Sequence, residues 1–304
     1  MKQTFDERVV VVGLARDSAQ HLGAVFANID SMASCFMGRA YLFLENDSAD
    51  QTRDYLEAFR DARPGCRLEH FDGLASSQTV PTVRRAWLRS HYLSVIARDF
   101  ADYDVLVVVD CDEANTFRID HLAFRRAIEF LNKEPDCAGV FPNQDGVYDD
   151  LSALRHPTWC PGDAWEEALD YFLTKGGTDG EVFHACIEPH LRTLGRYDAP
   201  IEVTSAFGGM GIYKMSSVIR NERRSTGYKT KTMATPEGVR PVGWQVSEHV
   251  EFNRGFGENG QKLFILPFFV NRQTAGHFEA LSGWMSPSTW RNQLFELSQL
   301  APPP

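Results

Sequence analysis

Five apolar residues, Val105-Leu106-Val107-Val108-Val109, run directly into Asp110-Cys111-Asp112. Four of the five are β-branched and the run does not alternate, so it predicts a strand buried on both faces. Such a strand needs helices above and below it. Strand-like runs at 8–15, 39–45 and 66–71 alternate with helix-like segments at 21–32, 51–59 and 82–100. In the last of these, Val83, Trp87, Leu88 and Tyr92 recur at helical spacing. The alternation predicts an α/β fold with a mostly parallel central sheet and helices on both faces. Arg16-Asp17-Ser18 is placed to cap the first helix.

The second half is less regular. Segment 156–163 holds two prolines and a glycine, 176–180 reads as a flexible insert, and 201–213 carries Gly208, Gly209 and Gly211 between apolar residues. The polar, basic stretch 220–232 predicts a solvated loop or a lid over an anionic ligand. A short helix is expected near 246–256. A late strand is expected at 263–270, with Pro267 confining it to an edge or a bulge. Neither a repeat nor a clear linker divides the chain.

Charge narrows the function. Lys and Arg number 31 against 41 Asp and Glu, a net −10, which argues against a nucleic-acid binder with its basic face. No apolar run approaches the ~18 residues of a spanning helix, and the N-terminus does not read as a signal peptide. The six cysteines form no C-x-x-C pair, so reduced thiols in a cytoplasmic protein are expected rather than disulfides or a zinc site.

Residues i and i+2 of a strand share a side, so Asp110 and Asp112 project together and Cys111 points away. Ligands of open α/β sheets bind beyond the carboxyl ends of the strands. Two carboxylates there repel unless compensated. A hard Mn²⁺ or Mg²⁺ would serve both and bridge to a diphosphate, whereas a solvated or capping pair is the plainer alternative. Asn46-Asp47-Ser48-Ala49-Asp50 suits either a grip on a base or ribose or an Asx-turn with a helix cap. Arg85 and Arg89 share a helix face with Arg84 offset, which fits surface ion pairs or contact with a phosphate.

Taken in order, E-N-D-S-x-D-x-T from Glu45, R-x-A-x-x-R from Arg84, and the D-x-D at Asp110 resemble GT-A glycosyltransferases. More narrowly, the chain resembles the capsule-associated mannosyltransferases of fungi and their bacterial relatives. Asn143-Gln144, the segment 148–155, the segment 205–214 and 247–252 continue the pattern, which touches about residues 8–280. The chain departs from it at Asp149 and Ser152, where the pattern has Tyr and Trp, and at Ser90, where it has Asn.

The resemblance implies a single GT-A, Rossmann-like domain over 1–304, with about 1–115 binding a nucleotide-diphosphate sugar and about 116–300 the acceptor. The implied reaction moves a hexose, mannose in the fungal relatives, to a hydroxyl of a glycan or glycolipid. Asp110 and Asp112 would hold the metal, with Asp110 also facing the donor and His277 as a third ligand. Asp47 and Asp50 would contact the nucleoside, and Arg84 and Arg89 the donor. Asp150 and Arg155 would face the sugar or acceptor. Gly208 and Gly209 would let backbone approach the sugar, unless they simply form a tight turn. Glu248 would be the base for an inverting reaction, with His249 as alternative base or positioning group; helix-dipole stabilisation is the plainer role for Glu248. Two other readings stay open: a haloacid-dehalogenase-type phosphatase, in which Asp110 would attack phosphorus, and a non-catalytic sugar-binding module of the same fold.

Overall fold

The computed structural model describes residues 4–235, 238–272 and 293–300. Strands β1 (Phe5–Ala15), β2 (Phe36–Asn46), β3 (Cys66–Phe71) and β4 (Val105–Asp110) alternate with helices α1 (Ala19–Ala33), α2 (Thr52–Asp61), α3 (Leu74–Ser77) and α4 (Pro81–Asp99). Helix α5 (His121–Lys133) leads into β5 (Cys137–Gln144). A small ribbon, β6 (Val147–Tyr148) with β7 (Arg192–Thr193), brackets α6 (Ala164–Lys175) and α7 (Asp179–Val182). Then come β8 (Ile201–Val203), β9 (Met210–Lys214), α8 (Met215–Arg220) and the hairpin β10 (Tyr228–Thr235) and β11 (Gly238–Gln245). Helix α9 (Glu248–Glu258), β12 (Lys262–Asn271) and β13 (Leu294–Phe295) follow.

The central sheet has the order β3-β2-β1-β4-β9-β5-β12-β8. Its first four strands are parallel, as are β5 and β12, while β9 lies antiparallel between β4 and β5 and β8 antiparallel beyond β12. The mostly parallel α/β sheet expected from the alternation is therefore present. The antiparallel wedge β9 was not legible in its short, glycine-flanked sequence.

Val105 to Val109 are each at most 2% exposed, so β4 is covered on both faces. Leu106 and Val108 pack in one layer with Leu88 and Tyr92 of α4 and Phe252 and Phe256 of α9. Val105, Val107, Val109 and Cys111 pack in the other with Leu22 and Ile29 of α1 and Phe124 and Leu131 of α5. Each such burial contributes roughly 1.5–3 kcal/mol. The row 106-108 continues to Asp110 and Asp112, which places both aspartates on the α4–α9 side and Cys111 on the other. Strands β2 and β3 lie to one side of β1 and β4 to the other, so the carboxyl ends of β1 and β4 flank a topological switch point. Leu14 pairs with Asp110 at that end.

Two local expectations change, and a third, for Pro267, is met by one of its alternatives. Ser18 stands at the start of α1, but its side chain makes no capping bond; the Ala19 N–H donates to Asp50 at 2.9 Å instead. The basic stretch 220–232 is not wholly loop, because from Tyr228 it forms β10, whose Lys229 and Lys231 pair with Glu166 on α6. Strand β12 is interior, and Pro267 sits where its register with β5 shifts between Leu266 and Val270, a bulge rather than an edge. All six cysteines are free, and all but Cys66 are buried. Among the described residues no helix is long and apolar enough to cross a membrane.

Candidate active site

A cavity of about 770 Å³ opens at the carboxyl ends of β1 and β4. Arg16 enters it from the end of β1, and Arg84, Arg85 and Arg89 from α4. Asp110, Asp112, Ala114 and Gly209 line it at the end of β4, with Phe207, Glu248 and His249 nearby. The segment after β5 adds Asp149, Asp150, Ser152, Asp163 and Trp165.

The turn after β4 is fixed by buried amides. Asn115 donates from its side chain to the carbonyls of Asp110 (2.9 Å) and Gly209 (2.8 Å), and the Asp110 N–H donates to Gly209 at 3.0 Å. Asn271 donates to Asn115 and to the Gly208 carbonyl. Asp112 accepts the Ala114 N–H at 3.0 Å. Gly208 and Gly209 have φ of +63° and +82°, and a Cβ on Gly209 would stand 3.0 Å from that of Ala114. Their need for glycine is thus met by the tight turn itself. Gly209 lines the cavity and Gly208 stands behind it, donating its N–H to Asp150 at 2.8 Å.

One carboxylate organises the arginines. Glu248, the first residue of α9, is 5% exposed, and its Oε1 accepts from Nε of both Arg85 and Arg89 at 3.1 Å. Arg89, itself buried, also reaches Asp110 Oδ1 at 3.3 Å. Burial alone would raise the Glu248 carboxyl, but Arg85 and Arg89 overcome it and hold the group well below the ordinary carboxylate range. Burial and the Asp112 charge push Asp110 up, against the pull of Arg89. Burial, aided by Arg89, keeps His249 neutral near pH 7; its ring stacks on Phe207 at 3.6 Å. Burial also raises Asp150, outweighing the hydrogen bonds from Gly208, Ser152 and Ala153. Arg84 is only 9% exposed; burial, with Arg16 and Arg85 close by, lowers its pKa, and it donates to the Gln78 carbonyl at 3.0 Å.

The structure thus brings Asp110, Asp112, Asp150, Arg84, Arg89, Gly209, Glu248 and His249 to one cavity. Other expected contacts have different tasks. Asp47 accepts the N–H groups of Gly73 (2.5 Å) and Ala75 (2.6 Å), and Asp50 those of Ala19 and Thr52 (2.9 Å each). Both carboxylates tie down loop and helix starts outside the cavity lining, because those N–H groups have no intrahelical partner. Arg155 braces its own turn through the carbonyls of Leu151, Ser152 and Leu154, and pairs with Asp163 at 3.1 Å. His277 lies outside the described residues. Sequence reasoning missed Arg16, Asn115, Asp163, Trp165 and Asn271. Arg16 alone carried a readable signal, standing directly after a strand at its carboxyl end.

Among the described residues no group of three or more His, Cys, Asp or Glu side chains is gathered to hold a metal. Asp110 and Asp112 nonetheless fit one in part: two carboxylates share a cavity, and burial together with their repulsion raises Asp110. A hard, oxygen-seeking cation would relieve that strain of charge.

No protein-family model matches the chain, and no curated protein matches it. Among solved structures it is similar to the mannosyltransferase PcManGT from Pyrobaculum calidifontis in complex with GDP-Man and Mn²⁺, at 12% identity and a TM-score of 0.48, over 91% of this chain and 60% of that one. It is similar to S. aureus TarS at 12% identity and TM-score 0.46, over 91% and 64%. A third is glucosyl-3-phosphoglycerate synthase from Mycobacterium tuberculosis with Mn²⁺, UDP and glucosyl-3-phosphoglycerate, at 13% identity and TM-score 0.39, over 97% and 81%. The chain thus spans less than two thirds of the first two.

Proposed function

We propose that this chain is a metal-dependent GT-A glycosyltransferase. It moves a hexose, mannose on the sequence resemblance, from a nucleotide-diphosphate sugar to a hydroxyl of a glycan. One observation carries the reading: Asp110 and Asp112, at the end of β4, share a cavity with the buried guanidinium of Arg84 and with Arg16. Carboxylates that suit a hard cation, beside guanidinium groups that suit phosphate, match a metal-bound diphosphate. Mn²⁺ or Mg²⁺ bound there would neutralise charge on the leaving diphosphate.

The chain's own residues position and exchange protons. Asn115 fixes the backbone of Asp110, and Arg89 fixes its side chain. Arg84 and Arg16 hold the diphosphate. We assign Glu248 as the anchor of Arg85 and Arg89 rather than as the base, since a carboxylate held so far below neutrality accepts a proton poorly. Asp150, raised by burial and facing the same cavity, is the better acceptor for the incoming hydroxyl proton. His249, neutral and stacked on Phe207, shapes the pocket. Titration calorimetry with UDP-, GDP- and dTDP-sugars, with and without Mn²⁺, tests this. One base is expected to bind in Mn²⁺ and to lose that metal-dependent affinity in Asp112→Ala. Absence of binding by every donor would refute the reading.

A further inference from the structure

The cations of the cavity lining come from one part of the chain, where Asp110 and Asp112 also stand. Arg16, Arg84 and Arg85 come from β1 and α4, whereas Asp149, Asp150 and Asp163, with Ser152 and Trp165, come from the segment after β5. Two features in that segment could hold an anion, the start of α6 and the guanidinium of Arg155. Asp163 occupies both: Oδ1 accepts the N–H groups of Trp165 (3.1 Å) and Glu166 (3.3 Å), and Oδ2 takes Arg155 at 3.1 Å. Lys229 and Lys231, which reach the same helix, pair with Glu166. At α9, Glu248 takes Arg85 and Arg89 in the same way. The remaining cations of the lining, Arg16 and Arg84, belong to the donor side.

Asp149 and Asp150 are held in place. Both backbone N–H groups donate to Gln144 Oε1, at 2.6 and 3.1 Å, and the Asp150 carboxylate accepts Gly208 N–H and Ser152 Oγ–H. Fixed carboxylates accept hydrogen bonds from hydroxyl groups. The half-buried Trp165 lines the same part of the cavity, and an indole face suits the C–H side of a pyranose. A phosphate or carboxylate on the acceptor would instead meet these carboxylates with the neighbouring cations already paired, and like-charge juxtaposition is a strong device for rejecting a wrong ligand.

We infer that the acceptor is an uncharged sugar, and that Asp149 and Asp150 exclude phosphorylated and carboxylated acceptors. This rests on the glycosyltransferase reading above. The test offers the full chain its tightest-binding donor with Mn²⁺ and methyl glycosides of mannose, glucose and galactose, each beside its 6-phosphate and its uronate. Nucleoside diphosphate release and product mass are read against a no-acceptor control. At least one neutral glycoside is expected to be used about tenfold or more better than its charged counterparts, and Asp149→Asn to narrow that ratio. Equal or better use of a charged acceptor overturns the inference, as does hydrolysis of the donor with no neutral glycoside accepted. Both outcomes leave the transferase reading standing, whereas failure of every donor to bind removes that reading and the inference together.

Discussion

Replacing Glu248 by Gln separates an anchor from a base. The amide keeps the size of the carboxylate but removes the charge that Arg85 and Arg89 share. Arg85 is about half exposed and loses little to solvent screening. Arg89, with its side chain 8% exposed, loses one of two carboxylate partners and keeps Asp110. Breaking a buried pair costs about 3–5 kcal/mol, and the retained Asp110 contact points to the low end, about 3 kcal/mol. For a chain of 304 residues that corresponds to a fall in Tm of roughly 5 °C. Scanning calorimetry reads the fall, and donor titration with initial-rate transfer assays reads the consequence. Donor affinity should weaken, because Arg85 and Arg89 lose the charge that fixes them beside Asp110, and kcat should follow only modestly. Asp150→Asn should show the reverse pattern, with kcat down by roughly 10²–10⁴ and donor affinity nearly unchanged. An unchanged Tm in Glu248→Gln, with kcat down by that factor and Asp150→Asn active, would return the base to Glu248.

Mn²⁺ at about 100 times its Kd should stabilise the protein by about 2.7 kcal/mol, read as a rise in Tm, and Asp112→Ala should abolish that rise. Arg84→Ala should weaken donor binding by roughly 10–100-fold, the worth of one charge-assisted hydrogen bond. Its Tm should hold or rise, because a buried cation is removed; a fall in Tm with unchanged donor affinity would make Arg84 structural. Gly209→Ala should cost about 1–3 kcal/mol, since φ of +82° and the Ala114 contact both oppose a Cβ, and urea unfolding would measure it. Glu248 also sets an acid limit. A carboxyl held low in the folded state stabilises fully above its ordinary value of 4.5 and loses that contribution as pH falls below it. The stability gap between the wild type and Glu248→Gln should therefore close progressively below that pH in equilibrium unfolding.

What the sequence determined by itself is local and periodic. The unalternating run 105–109 implied a strand covered twice, and the two-residue repeat of a strand placed Asp110 and Asp112 on one side with Cys111 on the other; the core layers bear this out. The order of strands and helices likewise carried the parallel sheet. Only the tertiary structure decided the partners. Asp47 and Asp50 read equally well as ligand contacts or caps until Gly73, Ala75 and Ala19 arrived with unpaired N–H groups. Glu248 meets Arg85 and Arg89 from 163 and 159 residues away, and that meeting depends on α4 and α9 packing on the same face of β4. Periodicity fixes which face a side chain takes, but a carboxylate's proton affinity depends on which charges share that face, and packing brings those from distant parts of the chain.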